Sequence, residues 1–173
     1  TGEIDILSRN VTWTSSRDAQ WGDFTVITFY DGQGMIVRIA DGYTTLEDLE
    51  NLMTKSMEVL GGKVDFILHS IGMSPNVRKG IDYDALNYDY YHKTLDVSAF
   101  SLHKVLSTAR KMDAINEWGS VVALSYVAAQ RTFAGYNDMA DAKAILESIA
   151  RSFGYMYGRE KHIRINTISQ SPT

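Results

Sequence analysis

The sequence predicts an α/β fold of the Rossmann type, in which helices flank a parallel sheet. Three observations predict it. From Asp41 onward, segments with helical periodicity alternate with short apolar runs. These apolar runs are typical of strands that are buried on both faces. The order helix–strand–helix–strand–helix–strand implies parallel pairing through right-handed crossovers.

Residues 1–40 differ from the rest of the chain. They contain four short runs of β type, Glu3–Leu7, Val11–Thr14, Phe24–Tyr30 and Met35–Ile39. Residues 31–34, Asp-Gly-Gln-Gly, separate the last two runs and predict a hairpin loop. We therefore expect a single domain over residues 1–173, in which a β-rich segment precedes an α/β core at 41–173.

The core is expected to begin with a helix over Thr44–Leu60. Its apolar residues recur at helical spacing, namely Leu46, Leu49, Met53, Met57 and Leu60. Thr44 and Glu47 have the spacing of a capping box, and Gly61-Gly62 ends the helix. The short apolar run Val64–Leu68 then predicts a buried strand.

Two more helix–strand pairs follow. A helix over Thr94–Met112 has an apolar side formed by Leu102, Val105, Leu106, Ala109 and Met112. The acidic, tyrosine-rich stretch Asp82–Asp89 ahead of it is expected to be a solvated loop. Ser120–Ser125 predicts a buried strand. The helix Tyr136–Tyr157 has an inner face of Ala142, Ile145, Leu146, Ile149, Phe153 and Met156. Ile163–Ser169 closes the pattern with a strand.

The composition excludes several classes of function. Hydrophobic residues make up 45% and charged residues 22%, as in a soluble globular protein. The net charge is −4 and no basic run exceeds two residues, so we expect no nucleic-acid partner. Without cysteines, and with four histidines that lack ligand spacing, we expect no metal. No signal peptide and no apolar run near roughly 18 residues appears, which favours the cytoplasm and no membrane partner.

Candidate chemistry lies where strands end, because parallel sheets bind ligands at the carboxyl ends of their strands. Tyr136 and Lys143 are seven residues apart, so they share a helix face at about 10.5 Å along the axis. A nearby ammonium favours the phenolate of a tyrosine, stabilises negative charge beside it and can donate to a ribose. Tyr126 follows a strand, so two phenols and one ammonium can converge on an oxyanion site for a carbonyl that becomes an enolate. A core aromatic and a chance Tyr/Lys pair on a helix would give the same pattern.

Four stretches of sequence together resemble the enoyl-acyl-carrier-protein reductases, a divergent branch of the short-chain dehydrogenase/reductase superfamily. They are Leu-His-Ser-Ile-Gly (68–72), Ala-Leu-Ser-Tyr (123–126), Tyr-Asn-Asp-Met-Ala-Asp-Ala-Lys (136–143) and Arg-Ile-Asn-Thr-Ile-Ser-Gln-Ser-Pro-Thr (164–173). The Tyr-x6-Lys spacing of the family, with a second tyrosine ten residues earlier, fits Tyr126, Tyr136 and Lys143. The stretches 128–131 and 146–155 look most similar to the Bacteroidetes-type members.

The resemblance implies that NADH reduces the trans-2-enoyl thioester of acyl-carrier protein in fatty-acid synthesis. Lys143 would hold the nicotinamide ribose and stabilise charge. Tyr126 would donate a hydrogen bond to the thioester carbonyl as hydride reaches the enoyl carbon. Tyr136 would position the substrate and supply a proton. The resemblance therefore implies that Tyr126, Tyr136 and Lys143 are the catalytic residues, and we expect no metal to take part.

The resemblance also implies binding residues and partners. Besides Lys143, the cofactor site comprises Asp41 on the adenine side, the loop residues Ser70, Ile71 and Gly72, and Pro172 and Thr173 at the nicotinamide. The substrate site comprises Ser74, Tyr126, Tyr136 and Met139. The family is commonly tetrameric, which predicts a homo-oligomer. The expected contact is through the outer faces of the two longer helices, with Phe100, Ile149, Phe153 and Tyr157.

Two departures from the family pattern leave alternatives open. Residues 1–40 contain no glycine-rich turn for the diphosphate, and the family continues well past Thr173. The pattern is thus incomplete at both ends. An ordinary ketoacyl reductase would need Tyr-x3-Lys, but position 140 is Ala. A truncated or recombined chain that keeps the fold without activity is the other alternative, and NADH binding would distinguish it from an enzyme.

Overall fold

A computed structural model describes residues 46–170, all of which belong to one compact unit. The strands and hairpin expected at 1–40 lie outside the described residues, as do Thr44 of the capping box and the site residues Asp41, Pro172 and Thr173. The single domain over residues 1–173 therefore stays a prediction.

Helices and strands alternate in the predicted order. They are α1 (Leu46–Leu60), β1 (Val64–His69), α2 (Pro75–Arg78), α3 (Tyr88–Leu95), α4 (Ser101–Lys111), β2 (Ile115–Tyr126), α5 (Asn137–Lys161) and β3 (Arg164–Gln170). One π-helical turn, Asp96–Phe100, joins α3 to α4 without a break. Short 3-10 turns lie at Tyr83–Ala85 and Val127–Ala129.

The three strands form one parallel sheet with β2 in the centre, which confirms the predicted pairing. Val121 of β2 lies opposite Ile67 of β1 on one side and Ile165 of β3 on the other. The strand β2 begins earlier than expected, because Ile115 already pairs with Val64 before an irregular stretch of β2.

The helix expected at Thr94–Met112 in fact begins at Tyr88, so the prediction of a loop over Asp82–Asp89 is partly wrong. The cause is a local cap: the Asn87 side chain accepts a hydrogen bond from the Tyr90 backbone N–H at 3.0 Å. An Asn at this position satisfies a donor that the first helical turn leaves free. The polar residues that follow Asn87 hide the helical period in the sequence.

A single buried cluster lies between the sheet and the helices. The helix α5 packs on β2 and β3, whereas α1 packs on α4 and β1. On α5 the buried stripe is formed by Ala142, Leu146, Ala150, Phe153 and Tyr157. None of the helices between residues 46 and 170 has the length and apolar character to cross a bilayer.

Two predictions about the faces of α5 are wrong. Tyr157, expected on the outer face, is only 3% exposed, and its hydroxyl donates to the Leu106 carbonyl at 2.8 Å. Phe153, expected on both faces, is 7% exposed, so only its inner position is confirmed. Met156, expected on the inner face, is 36% exposed. Steps of three and four residues continue the inner stripe through 153 and 157, which turns residue 156 away from it. Phe100 is exposed, as expected.

Candidate active site

The carboxyl ends of β1 and β2 lie side by side, and α5 begins next to them. His69, the last residue of β1, is paired with Ala123, and Tyr126 ends β2 opposite Gln170. The segments 69–74 and 125–130, which include the ends of these two strands, therefore meet at one edge of the sheet. This edge is where a parallel sheet accepts a ligand.

Two phenol rings are in contact at the end of β2. The ring centroids of Tyr126 and Tyr136 are 4.3 Å apart, at an angle of 33°. Phe133 adds an edge-on contact to Tyr126 at 5.5 Å. Within residues 46–170, neither phenol hydroxyl has a hydrogen-bond partner, so both can donate to a ligand.

Burial raises the pKa of the Tyr136 phenol, and the neighbouring Tyr126 raises it further. Tyr136 therefore keeps its proton across neutral pH. The expectation that Lys143 favours the phenolate of Tyr136 is not met, because burial disfavours the charged form of the phenol. Tyr136 is suited to be a hydrogen-bond donor.

Lys143 is buried, and its ammonium points to the sheet. Its Nζ donates to the Leu124 carbonyl of β2 at 2.6 Å, and burial lowers the pKa of this lysine. The other ammonium hydrogens have no acceptor in the described part of the chain. A Cβ placed on Gly72 would lie 3.6 Å from Lys143 Nζ and 3.7 Å from the Met139 Cε. The loop after β1 thus runs directly against α5 at Lys143.

His69 is buried under this loop at 2% exposure. Its Nε2 lies 2.8 Å from the Ser101 hydroxyl, which itself donates to the Val97 carbonyl at 2.6 Å. Since that hydroxyl has one hydrogen, Nε2 is the donor to Ser101. Burial, and then the charge of Lys143, lower the pKa of His69 to about 4. The imidazole is therefore neutral, and its Nδ1 has no partner among the described residues.

The far end of the loop is held by two side chains. The Ser98 hydroxyl, in the π turn, accepts from the Met73 backbone N–H at 2.9 Å and donates to the Met73 carbonyl at 3.0 Å. The Ser74 hydroxyl donates to Asp138 Oδ1 at 2.7 Å. Ser74, predicted to be near the substrate, therefore has its only hydroxyl hydrogen bound within the protein.

Two contacts bring predicted site residues together, that of Tyr126 with Tyr136 and that of Gly72 with Met139 and Lys143. Ser70 and Ile71 lie in the same loop as Gly72, with Ser70 exposed and Ile71 half-buried. Sequence reasoning missed the contributions of Ser98, Ser101 and Asp138. The available signal was Asp138, a carboxylate four residues before Ala142 and thus on the predicted inner face of α5.

Residues 40–173 match the family model described as "Enoyl-(Acyl carrier protein) reductase". Among curated proteins, an enoyl-[acyl-carrier-protein] reductase [NADH] 1 of Rhizobium meliloti is 31% identical over 133 residues, 76% of this chain and 48% of its own length. An enoyl-[acyl-carrier-protein] reductase [NADH] FabI of Aquifex aeolicus is 36% identical over 129 residues, 73% of this chain and 46% of its own length.

Solved structures of FabI proteins are similar to this chain as well. The crystal structure of a FabI–NADH complex from Alistipes finegoldii is 75% identical, with a TM-score of 0.72, and the match covers 74% of this chain and 45% of that one. This chain spans about half the length of the relatives it matches.

Proposed function

Because this chain belongs to the enoyl-(acyl carrier protein) reductase family, we propose that it forms the core of an enzyme that uses NADH to reduce the trans-2-enoyl thioester of acyl-carrier protein. The observation that carries the proposal is the contact of Tyr126 with Tyr136 at the strand edge where Lys143 is also held. We also propose that this enzyme acts in fatty-acid synthesis, in the cytoplasm.

The site fits a nicotinamide cofactor. Gly72 presents an open backbone surface beside Lys143, and a side chain there would fill the space next to the ammonium. Lys143 would donate hydrogen bonds to the ribose, and the loop residues Ser70, Ile71 and Gly72 would lie along the cofactor. Asp41, Pro172 and Thr173 keep the cofactor roles that the family resemblance implies for them.

Bound NADH would supply hydride to the enoyl thioester, so that negative charge develops on the thioester carbonyl oxygen. Tyr126 donates a hydrogen bond to that oxygen and stabilises the charge where it forms. Tyr136 is protonated at neutral pH because its pKa is raised. It would position the substrate as a second donor and supply the proton that converts the enolate to the saturated thioester. The charge of the Lys143 ammonium favours the same enolate. Met139 lies beside Gly72 and bounds the space for the acyl chain.

We further propose that the chain assembles as a homo-oligomer, a tetramer by resemblance to the family. A groove of about 700 Å³ lies between α4 and α5, on the side of α5 away from the strand ends that bear the site. Its apolar lining is formed by Ile149, Phe153 and Met156, and its rim carries His103, Arg110, Lys111 and Glu160. A second copy would cover this surface.

The direct test is to titrate NADH into the purified chain and to follow NADH oxidation with crotonyl thioester. We expect saturable binding and oxidation with crotonyl thioester but not with acetoacetyl thioester, since the latter is the substrate of a ketoacyl reductase. A folded chain that binds no NADH would contradict the proposal and favour a chain that keeps only the fold.

A further inference from the structure

The first turn of α5 carries a buried carboxylate that the proposed chemistry does not use. Asp138 is 0% exposed and lies two residues after Tyr136. Within residues 46–170, no lysine, arginine or histidine forms an ion pair with it. An unpaired buried carboxylate is costly unless hydrogen bonds replace the lost water.

Three donors supply those hydrogen bonds. The Ser74 hydroxyl donates to Oδ1 of Asp138 at 2.7 Å, and the Asn76 amide donates to Oδ2 at 2.9 Å. The Thr94 hydroxyl lies 2.8 Å both from Oδ2 and from the Tyr90 carbonyl, so its one hydrogen is shared between these two acceptors. All three donor residues are buried. Bonds to a charged acceptor are among the stronger hydrogen bonds in proteins. Asp138 therefore receives donors at both of its oxygens.

The donors come from two different segments of the chain. Ser74 and Asn76 follow the loop after β1, and Thr94 lies on α3. Asn76 extends the connection, because its side chain also bonds both to the N–H and to the carbonyl of Asn87, the residue that caps α3. Asp138 thus ties the loop after β1 and the last turn of α3 to the first turn of α5, and Asn76 links it to the start of α3.

This tie lies two residues after Gly72, the point where the loop faces Lys143. Gly72 faces Lys143 and Met139, and Ser74 is the first residue after it that is bonded to α5. A loop pinned at this point cannot move away from Lys143 without breaking buried hydrogen bonds. Leaving such groups unpaired has a large free-energy cost.

We propose that Asp138 is a positioning residue, a buried anchor that sets the spacing between the segment 70–72 and Lys143 and so shapes the cofactor site. This inference rests on the proposed function for the identity of the ligand, NADH. The anchor itself rests on the contacts of Asp138 alone.

The variant Asp138→Asn tests the anchor with little change of volume. It replaces one acceptor oxygen with an amide NH2 group. This group donates hydrogen bonds itself, so it cannot accept those that the oxygen received. The matched control is Asp113→Asn, which removes an exposed carboxylate paired with Lys63 and Lys161 on a turn before β2. Asn suits the control position, because Asp113 has a φ of 53° and Asn tolerates the left-handed region.

Two measurements distinguish positioning from general stability. The first is the ¹³C-methyl NMR spectrum of the methionines, recorded without any ligand. In Asp138→Asn we expect the Met73 and Met139 signals to move, while Met53 and Met57 on α1 stay in place. The second is the Kd for NADH, which we expect to rise about tenfold or more from the loss of charged hydrogen bonds. Asp113→Asn should change neither quantity.

Unmoved Met73 and Met139 signals in a folded Asp138→Asn variant would overturn the inference, as would moved signals with an unchanged Kd. If the unaltered chain binds no NADH, the proposed function fails, whereas the methyl signals still decide whether Asp138 holds the loop. Should Asp138→Asn fail to fold, Ser74→Ala removes one of the three donors and is subject to the same two measurements.

Discussion

At the scale of single residues, burial has opposite effects on the acidic and basic groups of the site. Burial raises the pKa of the Tyr136 phenol and lowers the pKa of Lys143 and of His69. The physical cause is the same each time, because desolvation disfavours the charged form. The site therefore offers an uncharged hydrogen-bond donor at Tyr136 and one ammonium that is held by a carbonyl.

Two substitutions separate cofactor binding from rate. Lys143→Ala should lose NADH affinity as well as rate, since the ammonium would contact the ribose in the ground state and the transition state. Tyr126→Phe should keep the NADH affinity and lower the rate roughly 10²–10³-fold, the effect of one oxyanion donor. Steady-state kinetics with crotonyl thioester and NADH titration measure both. The control Lys104→Ala removes an exposed lysine paired with Asp96 and should change neither. Unchanged reduction in both site variants would refute the assigned roles.

The neutral imidazole of His69 predicts a dependence of stability on pH. The folded pKa of about 4 lies below the ordinary histidine value of 6.5, so the unfolded chain binds the proton first as the pH falls. Stability is therefore full above pH 6.5 and is lost between pH 6.5 and 4, by about 3 kcal/mol. Chemical denaturation across this range measures the loss. His69→Gln keeps a donor for Ser101 and should flatten the profile; an identical profile in the variant would count against this explanation.

At the scale of elements, the sequence predicted the existence and order of the helices and strands far better than their ends. The strands were predicted from their short apolar runs, but burial on both faces is wrong for β1 and β3, because Leu68 and Ile168 are 43% and 51% exposed. The start of α3 was missed because it depends on one cap, Asn87, within a polar stretch. The π turn was missed because Ser98 bonds to Met73, a residue distant in sequence. Contacts between residues so distant in sequence cannot be predicted from spacing or periodicity.

The irregular stretch at the start of β2 requires a glycine. A Cβ on Gly119 would lie 2.6 Å from the Ile115 Cγ2 and 2.9 Å from the Asn116 carbonyl oxygen. Gly119→Ala should therefore lower the free energy of unfolding by about 1–3 kcal/mol, as overpacking does elsewhere. Thermal unfolding monitored by circular dichroism measures it. Gly62→Ala is the control, because no atom lies within 4 Å of a Cβ there. Equal melting temperatures for the two variants would contradict this view of β2.

At the scale of the whole molecule, the candidate site is assembled from parts that are far apart in the sequence. The spacing of Tyr126, Tyr136 and Lys143 could be predicted from the sequence, because these residues lie on one helix and on the strand that precedes this helix. The partners of Asp138 could not, because Ser74, Asn76 and Thr94 share no periodic pattern with it. The faces of α5 could be predicted only in part, since Tyr157 proved to be buried within the chain.

The groove between α4 and α5 predicts self-association. Light scattering of the 19.4 kDa chain should give a multiple of that mass at concentrations well above micromolar. Ser152→Arg places a charge in the groove and should lower the mass towards that of one chain. Asn51→Arg, on the exposed side of α1, should leave it unchanged. A monomer whose mass is independent of concentration, in the unaltered chain, would decide against assembly.

The parallel register of the sheet has a consequence for how this chain folds. Val64 pairs with Ile115, and Ser120 pairs with Arg164. Neither strand pair can therefore form until the long segment between its two strands has closed into a loop. Closing those loops lowers the conformational entropy of the chain before the strand contacts form and stabilise it. Refolding should therefore take milliseconds to seconds rather than microseconds, as in other folds with high contact order. During that time the apolar strands remain unpaired, so recovery of native protein after dilution from denaturant should fall as the protein concentration rises.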